Sequence, residues 1–215
     1  MGDDDVLITE HRYSPEYDQT KMSGKYCVQF MTFKNTPNGL NILKWWRNAC
    51  LVWCYARVEN GKFGDQKYLD DWTNRFEGVH ELKHLGGGVA PWNLQQYDFV
   101  CEGEKIWGIE LKTGEKFPLV FFHFHGLECF NIYPLREFVL LPEVYDLPFS
   151  AKKLIYNSYL PTLKRCYHQI KKADSSVNAL AIKLSSIGLE WKAIAKRLVK
   201  TVLSMETHYS YWIGL

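Results

Sequence analysis

Three groups of residues in this chain have the types and spacing to do chemistry. In Gly64-Asp65-Gln66 a turn glycine precedes an acid and an amide, at the start of a run that carries Tyr68, Leu69 and Trp72 on one side. Glycine permits backbone angles that aim the two following side chains into a cleft. Asp65 could equally cap the helix that follows, accepting from its unpaired amides. His123-Phe124-His125-Gly126 ends an apolar run, and strand alternation puts both imidazoles on one face ahead of a glycine that admits a ligand. Such a pair suits a divalent metal or a phosphate, or a structural role alone. Trp92 beside Asn93 could stack on and hydrogen-bond a sugar, or plug its loop onto the core.

Other candidates are weaker. Asp3, Asp4 and Asp5 could hold Mg or Mn, but they precede a strand, whereas metal carboxylates of a nucleotide site are expected at a strand's carboxyl end. They read as a solvated start. Gly86-Gly87-Gly88 must be a loop, and it lacks the lysine and following helix of a phosphate cradle. The six cysteines are scattered apart from Cys50 and Cys54, which stand at helical spacing. With no zinc signature and no leader at Met1, free and mostly buried thiols in a reducing cytoplasm are expected.

The elements that must position these groups follow from periodicity. Val6-Leu7-Ile8 is a short strand, and Tyr26–Lys34 is a longer one with so few polar positions that it reads as interior. Thr36 and Pro37 then start a helix over roughly 38–58, with Leu40, Leu43, Trp46, Cys50, Trp53 and Ala56 as its apolar stripe. Val79–Leu85 is a further strand. Lys105–Leu111 and Lys116–Phe124 form a hairpin around Lys112-Thr113-Gly114-Glu115. Past Pro142, Ser150–Lys172 reads as a helix bent at Pro161 and ended by Asp174-Ser175-Ser176. Ile187–Leu203 is a second, basic amphipathic helix, and Tyr209–Ile213 adds interfacial aromatics.

At 215 residues the chain is long enough for one domain plus a helical tail. A net charge of +2 points to neither nucleic acid nor membrane, and 15% aromatic residues is a high share that fills a core or binds flat rings. No apolar run of about 18 residues is present to span a bilayer.

An ordered set of motifs is more specific than any of these features. His11 to Ser14 ends a strand, Tyr26 to Asn35 is a Tyr-bearing strand ending in Asn, and Trp45 to Trp53 is a Trp-rich helix. Then come Gly64 to Trp72 (GDQKYLDDW), Ala90 to Asn93 (APWN) and His123 to Gly126 (HFHG). In that order they resemble the second half of a GT-A-type glycosyltransferase, and more closely a bacterial group of nucleotide-diphospho-sugar transferases, over roughly residues 3–130.

The resemblance implies a mixed-sheet α/β fold: residues 1–145 a partial GT-A-like domain holding the acceptor half, residues 146–215 a helical C-terminal extension. It implies a transferase moving a sugar from a nucleotide-sugar donor to a glycan or glycolipid acceptor. Asp65 and Gln66 would be catalytic, with Asp65 the base of an inverting reaction. His123 would be a ligand of Mn or Mg. His125 and Gly126 would approach the diphosphate, Trp92 and Asn93 would line the acceptor cleft, and His11 and Arg12 would lie near the donor. The family's Asp-x-Asp half does not precede Val6 here, which suggests a truncated or partial chain. The alternative is a non-catalytic carbohydrate-binding or interaction module. The expected location is cytoplasmic, with peripheral attachment to the inner membrane face through the basic helices, and no nucleic-acid partner.

Overall fold

A computed structural model describes residues 1–132, 136–141 and 145–176. In chain order the elements are β1 (Val6–Glu10), α1 (Thr20–Ser23), β2 (Tyr26–Phe33), α2 (Pro37–Val52), α3 (Trp72–Arg75) and β3 (Val79–Glu81), then β4 (Tyr97–Glu102), β5 (Lys105–Glu110) and β6 (Lys116–Pro118). They continue with β7 (Glu128–Ile132), β8 (Arg136–Leu141), α4 (Phe149–Ala151) and α5 (Asn157–Ala173). The result is a mixed α/β chain with small mixed and antiparallel sheets and a C-terminal helix. It divides into two compact units, one of Met1–His125 with Tyr145–Pro148, the other of Gly126–Val144 with Phe149–Leu215.

In the first unit β1 lies between β2, antiparallel to it, and β3, parallel to it. The apolar β2 is therefore an edge of this sheet among the described strands, not the interior strand its composition suggests. Its apolar residues are covered from the face instead. Val6, Ile8, Tyr26, Ile42, Leu69 and Trp72 form the buried centre, and Val28, Met31, Phe33, Trp45, Trp46 and Tyr68 pack on it. Rings meet edge to face around Trp72, with Phe33, Trp45, Trp46 and Phe76 at centroid distances of 6.3, 6.4, 6.0 and 5.8 Å, a geometry that suits the ring quadrupoles.

The start of α2 is as expected, with Thr36 Oγ1 accepting from Gly39 N at 3.1 Å and Pro37 in the first turn. Its end is earlier. Trp53 takes extended angles (φ −155°, ψ 123°), and its carbonyl accepts from Tyr68 Oη at 2.8 Å while its indole donates to Glu59 at 2.9 Å. The buried helix residues are Gly39 and Ile42 rather than Leu40, which is exposed. The opening aspartates are also not merely solvated. Asp5 accepts from Thr36 Oγ1 at 2.6 Å and Asn38 Nδ2 at 2.8 Å, tying the entry of β1 to the start of α2, and both bonds hold its carboxyl below the ordinary range.

Register slips within the β1–β2 pair. Leu7 faces Thr32 but Thr9 faces Cys27, so two steps on β1 answer five on β2. Thr9 Oγ1 holds the protruding loop by donating to Phe30 O at 2.8 Å. The hairpin of β4, β5 and β6 forms as its turn demands, with Gly114 at φ 75°. However, β6 stops at Pro118, whose nitrogen has no hydrogen to give a ladder. Residues 119–124 run on as extended chain, anchored by Val120 N and Phe121 N to Gly86 O (2.9 and 3.0 Å) and by His123 N to Val89 O (3.0 Å). β3 likewise stops at Glu81, and Leu85–Gly87 is a 3₁₀ turn rather than shapeless loop. A Cβ on Gly86 would lie 1.9 Å from Pro118 O, so close backbone approach is what requires glycine there.

In the second unit β7 and β8 pair antiparallel. A π-helical stretch, Lys152–Tyr156, joins α4 to α5, and Pro161 lies inside α5. Asp174 ends the helix by accepting from Ser176 N at 2.9 Å and Ser176 Oγ at 2.6 Å. The expected helix at Ile187–Leu203 and the aromatic tail lie outside the described residues. Among the described residues no helix is long and apolar enough to cross a membrane.

Candidate functional site

The exit of β1 is a left-handed turn. Arg12 takes φ 49°, a conformation that costs a non-glycine residue about 1–2 kcal/mol and persists where surroundings impose it. Here the surroundings are hydrogen bonds. The Arg12 guanidinium donates to the carbonyls of Leu82 and His84, and Gln96 Nε2 donates to Arg12 O at 2.7 Å. His11 N and His11 Nδ1 both lie on Lys25 O, at 3.0 and 3.1 Å. A carbonyl only accepts, so Nδ1 carries the hydrogen and Nε2 the lone pair.

The Ala90-Pro91-Trp92-Asn93 loop is built onto this turn. Trp92 Nε1 and Asn93 Nδ2 each donate to His11 O at 2.9 Å, Asn93 Nδ2 also donates to Gly88 O at 2.9 Å, and Asn93 Oδ1 accepts from Ala90 N at 3.0 Å. Ser14 N donates to Trp92 O at 2.9 Å, and Ser14 Oγ lies between Trp92 O and Gln95 Oε1. Trp92 is only 4% exposed. It is thus a plug, and the centre of a ring cluster as well.

Around its indole stand three imidazoles: His11 at 5.3 Å between centroids, His123 at 5.2 Å and His125 at 5.3 Å. His123 and His125 lie 5.8 Å apart, brought together by a tight turn in which His125 N donates to His123 O at 2.8 Å rather than by the alternation of a strand. Tyr13 stacks on His11 at 4.5 Å, and Tyr145, which returns to this unit from beyond the hairpin, meets His125 at 6.2 Å and Tyr17 at 4.9 Å. Tyr13 and Tyr145 were missed as site residues. Tyr13 sits inside the His11–Ser14 motif, but nothing in the local sequence marks Tyr145.

Burial sets the electrostatics of the cluster. It depresses His11 to about 4, against the pull of the Lys25 carbonyl, and it lowers His123 together with the neighbouring His125. It raises Tyr13 to about 12. His11 and His123 are therefore neutral imidazoles at neutral pH, able to accept or donate hydrogen bonds without charge.

Asp65 and Gln66 belong to a different neighbourhood. Gly64 has the left-handed φ of 53°, and a 3₁₀ helix over Gln66–Asp71 follows. Asp65 makes no side-chain cap, so the capping reading fails. Its backbone carbonyl accepts from Trp46 Nε1 at 2.9 Å, while among the described residues its half-buried carboxylate has no hydrogen-bond partner. The rest of the run is structural. Leu69 and Trp72 are core, and Asp70 accepts from Lys25 N at 2.8 Å, steadying the segment that receives His11. Gly126 takes φ 63° and falls in the second unit.

No family model matches the chain, and no solved structure matches it. It is similar to two uncharacterized proteins of Bacillus subtilis (strain 168). YfnD is 30% identical over 174 residues, covering 78% of this chain and 52% of YfnD. YfnF is 30% identical over 163 residues, covering 76% of this chain and 50% of YfnF. The chain thus spans about half the length of the curated relatives it matches.

Among the described residues no group of three or more His, Cys, Asp or Glu side chains could hold an ion. His123 and His125 with a tryptophan between them do not make a metal centre by themselves. The thiols differ from expectation too. Cys27 is buried, but Cys54, Cys101 and Cys166 are exposed.

Proposed function

We propose that the chain is the acceptor half of a GT-A-type glycosyltransferase, which moves a sugar from a nucleotide-sugar donor to a hydroxyl of a glycan or glycolipid. The observation that carries this is convergence. Three of the motifs behind the resemblance, His11–Ser14, Ala90–Asn93 and His123–His125, are far apart in sequence yet meet around Trp92. Convergence of residues from several loops is what a preorganised site requires.

In this reading the acceptor oxygen attacks the anomeric carbon as the bond to the diphosphate breaks, and the hydroxyl proton leaves to a base. Asp65, from outside the Trp92 cluster, is that base in an inverting reaction, with Gln66 orienting the sugar; the resemblance assigns them, and the Asp65 carboxylate accepts no hydrogen bond among the described residues. His123 offers an uncharged hydrogen-bonding edge beside the Trp92 plug, with His125 next to it. Arg12 holds the backbone of the site through Leu82 and His84. Mn or Mg would have to draw ligands besides His123 from outside the described residues.

The test is titration of a full-length relative such as YfnD, and of this chain, with several nucleotide diphosphates, with and without Mn, alongside assays for sugar release and transfer. Transfer by the full-length protein supports the reading. Absence of both nucleotide binding and transfer there overturns it. Glycan binding without any nucleotide binding would instead favour a non-catalytic carbohydrate-binding module. Peripheral membrane attachment is proposed from α5, whose exposed later half carries Arg165, Lys171 and Lys172. It predicts co-sedimentation with anionic vesicles that falls with salt.

A further inference from the structure

One side of α2 stays out of the core. Ile42, Trp45 and Trp46 turn inward, whereas Leu40, Lys44, Arg47 and Leu51, spaced four, three and four residues apart, share the exposed side. Past Trp53 the chain continues into a tight hairpin. Glu59 and Lys62 exchange both backbone hydrogen bonds, at 3.1 and 2.9 Å, around Asn60 (φ 49°) and Gly61 (φ 73°), a two-residue turn with both central residues left-handed. Its base is fastened by Gly64 N, which donates to Tyr55 O at 3.0 Å.

This stretch exposes large apolar side chains in succession. Leu51, Val52, Tyr55 and Val58 are 70%, 84%, 54% and 59% exposed. Such side chains need no account when scattered singly, but four within one short stretch mark an interaction site. The charge among them is almost all of one sign. Between Thr36 and Phe63 the chain carries Lys44, Arg47, Arg57 and Lys62 against a single acid, Glu59. Glu59 is taken up by Arg57 at 2.8 Å and by the Trp53 indole at 2.9 Å. Among the described residues Lys44, Arg47 and Lys62 have no carboxylate partner. Lys62 Nζ stands instead 5.3 Å from the Trp53 ring centre, and the Arg57 guanidinium 4.5 Å from that of Tyr55. Cations interleaved with apolar side chains suit a surface that is itself layered, phosphate over acyl chain. They suit the centre of a protein interface less, because charge is depleted there.

We propose that the exposed side of α2 and the 55–62 turn dock on an anionic lipid surface. Leu51, Val52, Tyr55 and Val58 enter the boundary between headgroups and acyl chains, and Lys44, Arg47 and Lys62 meet lipid phosphates. These residues belong to the first unit and α5 to the second, so the surface is a different one from the attachment proposed for α5. It does not depend on glycosyl transfer.

The experiment measures co-sedimentation of the chain with vesicles of equimolar phosphatidylglycerol and phosphatidylcholine, and with phosphatidylcholine alone, as salt rises. Binding should occur on the anionic vesicles and fade with salt. Leu51→Ser with Val52→Ser should weaken it about 10-fold or more, and so should Lys44→Glu with Arg47→Glu. All four side chains lie in solvent, so thermal melting of both variants should match the wild type. With Lys171→Glu and Lys172→Glu introduced in α5, the dependence on Leu51 and Val52 should persist. No binding at low salt, equal binding to both vesicle types, or binding lost with the α5 pair yet indifferent to Leu51 and Val52 would overturn the proposal. So would a dimer in sedimentation that Leu51→Ser with Val52→Ser dissolves, which would assign this face to a second copy of the chain.

Discussion

The indole nitrogen of Trp92 donates to the backbone carbonyl of His11 at 2.9 Å, across 81 residues of chain. Asn93 reaches the same carbonyl and satisfies Gly88 O and Ala90 N as well. A buried polar group left without its partner costs about 1–3 kcal/mol, and Asn93 serves three. Asn93→Leu should therefore destabilise by about 3 kcal/mol or more in urea unfolding. Trp92→Phe, which leaves His11 O with Asn93, should cost about 1–2 kcal/mol. The reverse order would mean that packing, not the amide, holds the turn.

The depressed His11 makes stability depend on pH. Its folded value is about 4 against 6.5 when free, so the unfolded chain binds the extra proton between those values. The stabilisation is complete above pH 6.5 and is lost as pH falls toward 4, in total about 3 kcal/mol. His11→Asn keeps a donor near Nδ1 but cannot titrate. Unfolding free energies measured from pH 4 to 7 should fall less steeply toward acid in this variant than in the wild type. Parallel curves would show that His11 is not the source.

Two glycines test different physics. At Gly86 a Cβ would sit 1.9 Å from Pro118 O, and backbone cannot step aside as a side chain can. Gly86→Ala should cost more than about 2 kcal/mol, with loss of the anchoring of residues 119–124. At Gly114 nothing lies near a Cβ, but φ is 75°, so Gly114→Ala should cost only about 1 kcal/mol. Thermal melts of the two variants should differ by several degrees.

Asp65 and Gln66 separate function from stability. Neither side chain has a hydrogen-bond partner among the described residues. Under the proposed function, Asp65→Asn should leave the melting temperature unchanged while lowering glycosyl transfer by about 10²-fold or more, the usual loss for a general base. Wild-type transfer rates in that variant would remove Asp65 from the mechanism.

Local pattern was enough for the features that depend on neighbours along the chain. Thr36 caps α2, Gly114 turns the hairpin and Asp174 ends α5, because each follows from backbone angles or periodicity within a few residues. Pattern misjudged what depends on distant partners. The apolar Tyr26–Phe33 strand looked interior but is an edge, since aromatic rings from α2 and the Gly64–Trp72 run cover it where a strand was expected. The 116–124 strand ends at Pro118 because Gly86 and Val89, on another segment, take over its backbone bonds.

The candidate site divides in the same way. Its residue types were legible as motifs, but their assembly was not, because His11, Trp92 and His123 meet only when a left-handed turn at Arg12 is held by Leu82, His84 and Gln96. Hydrogen bonds over 70 and more residues leave no periodic trace. Nor does the neutrality of His11, which comes from burial that only the folded packing around Tyr13 and Trp92 can impose.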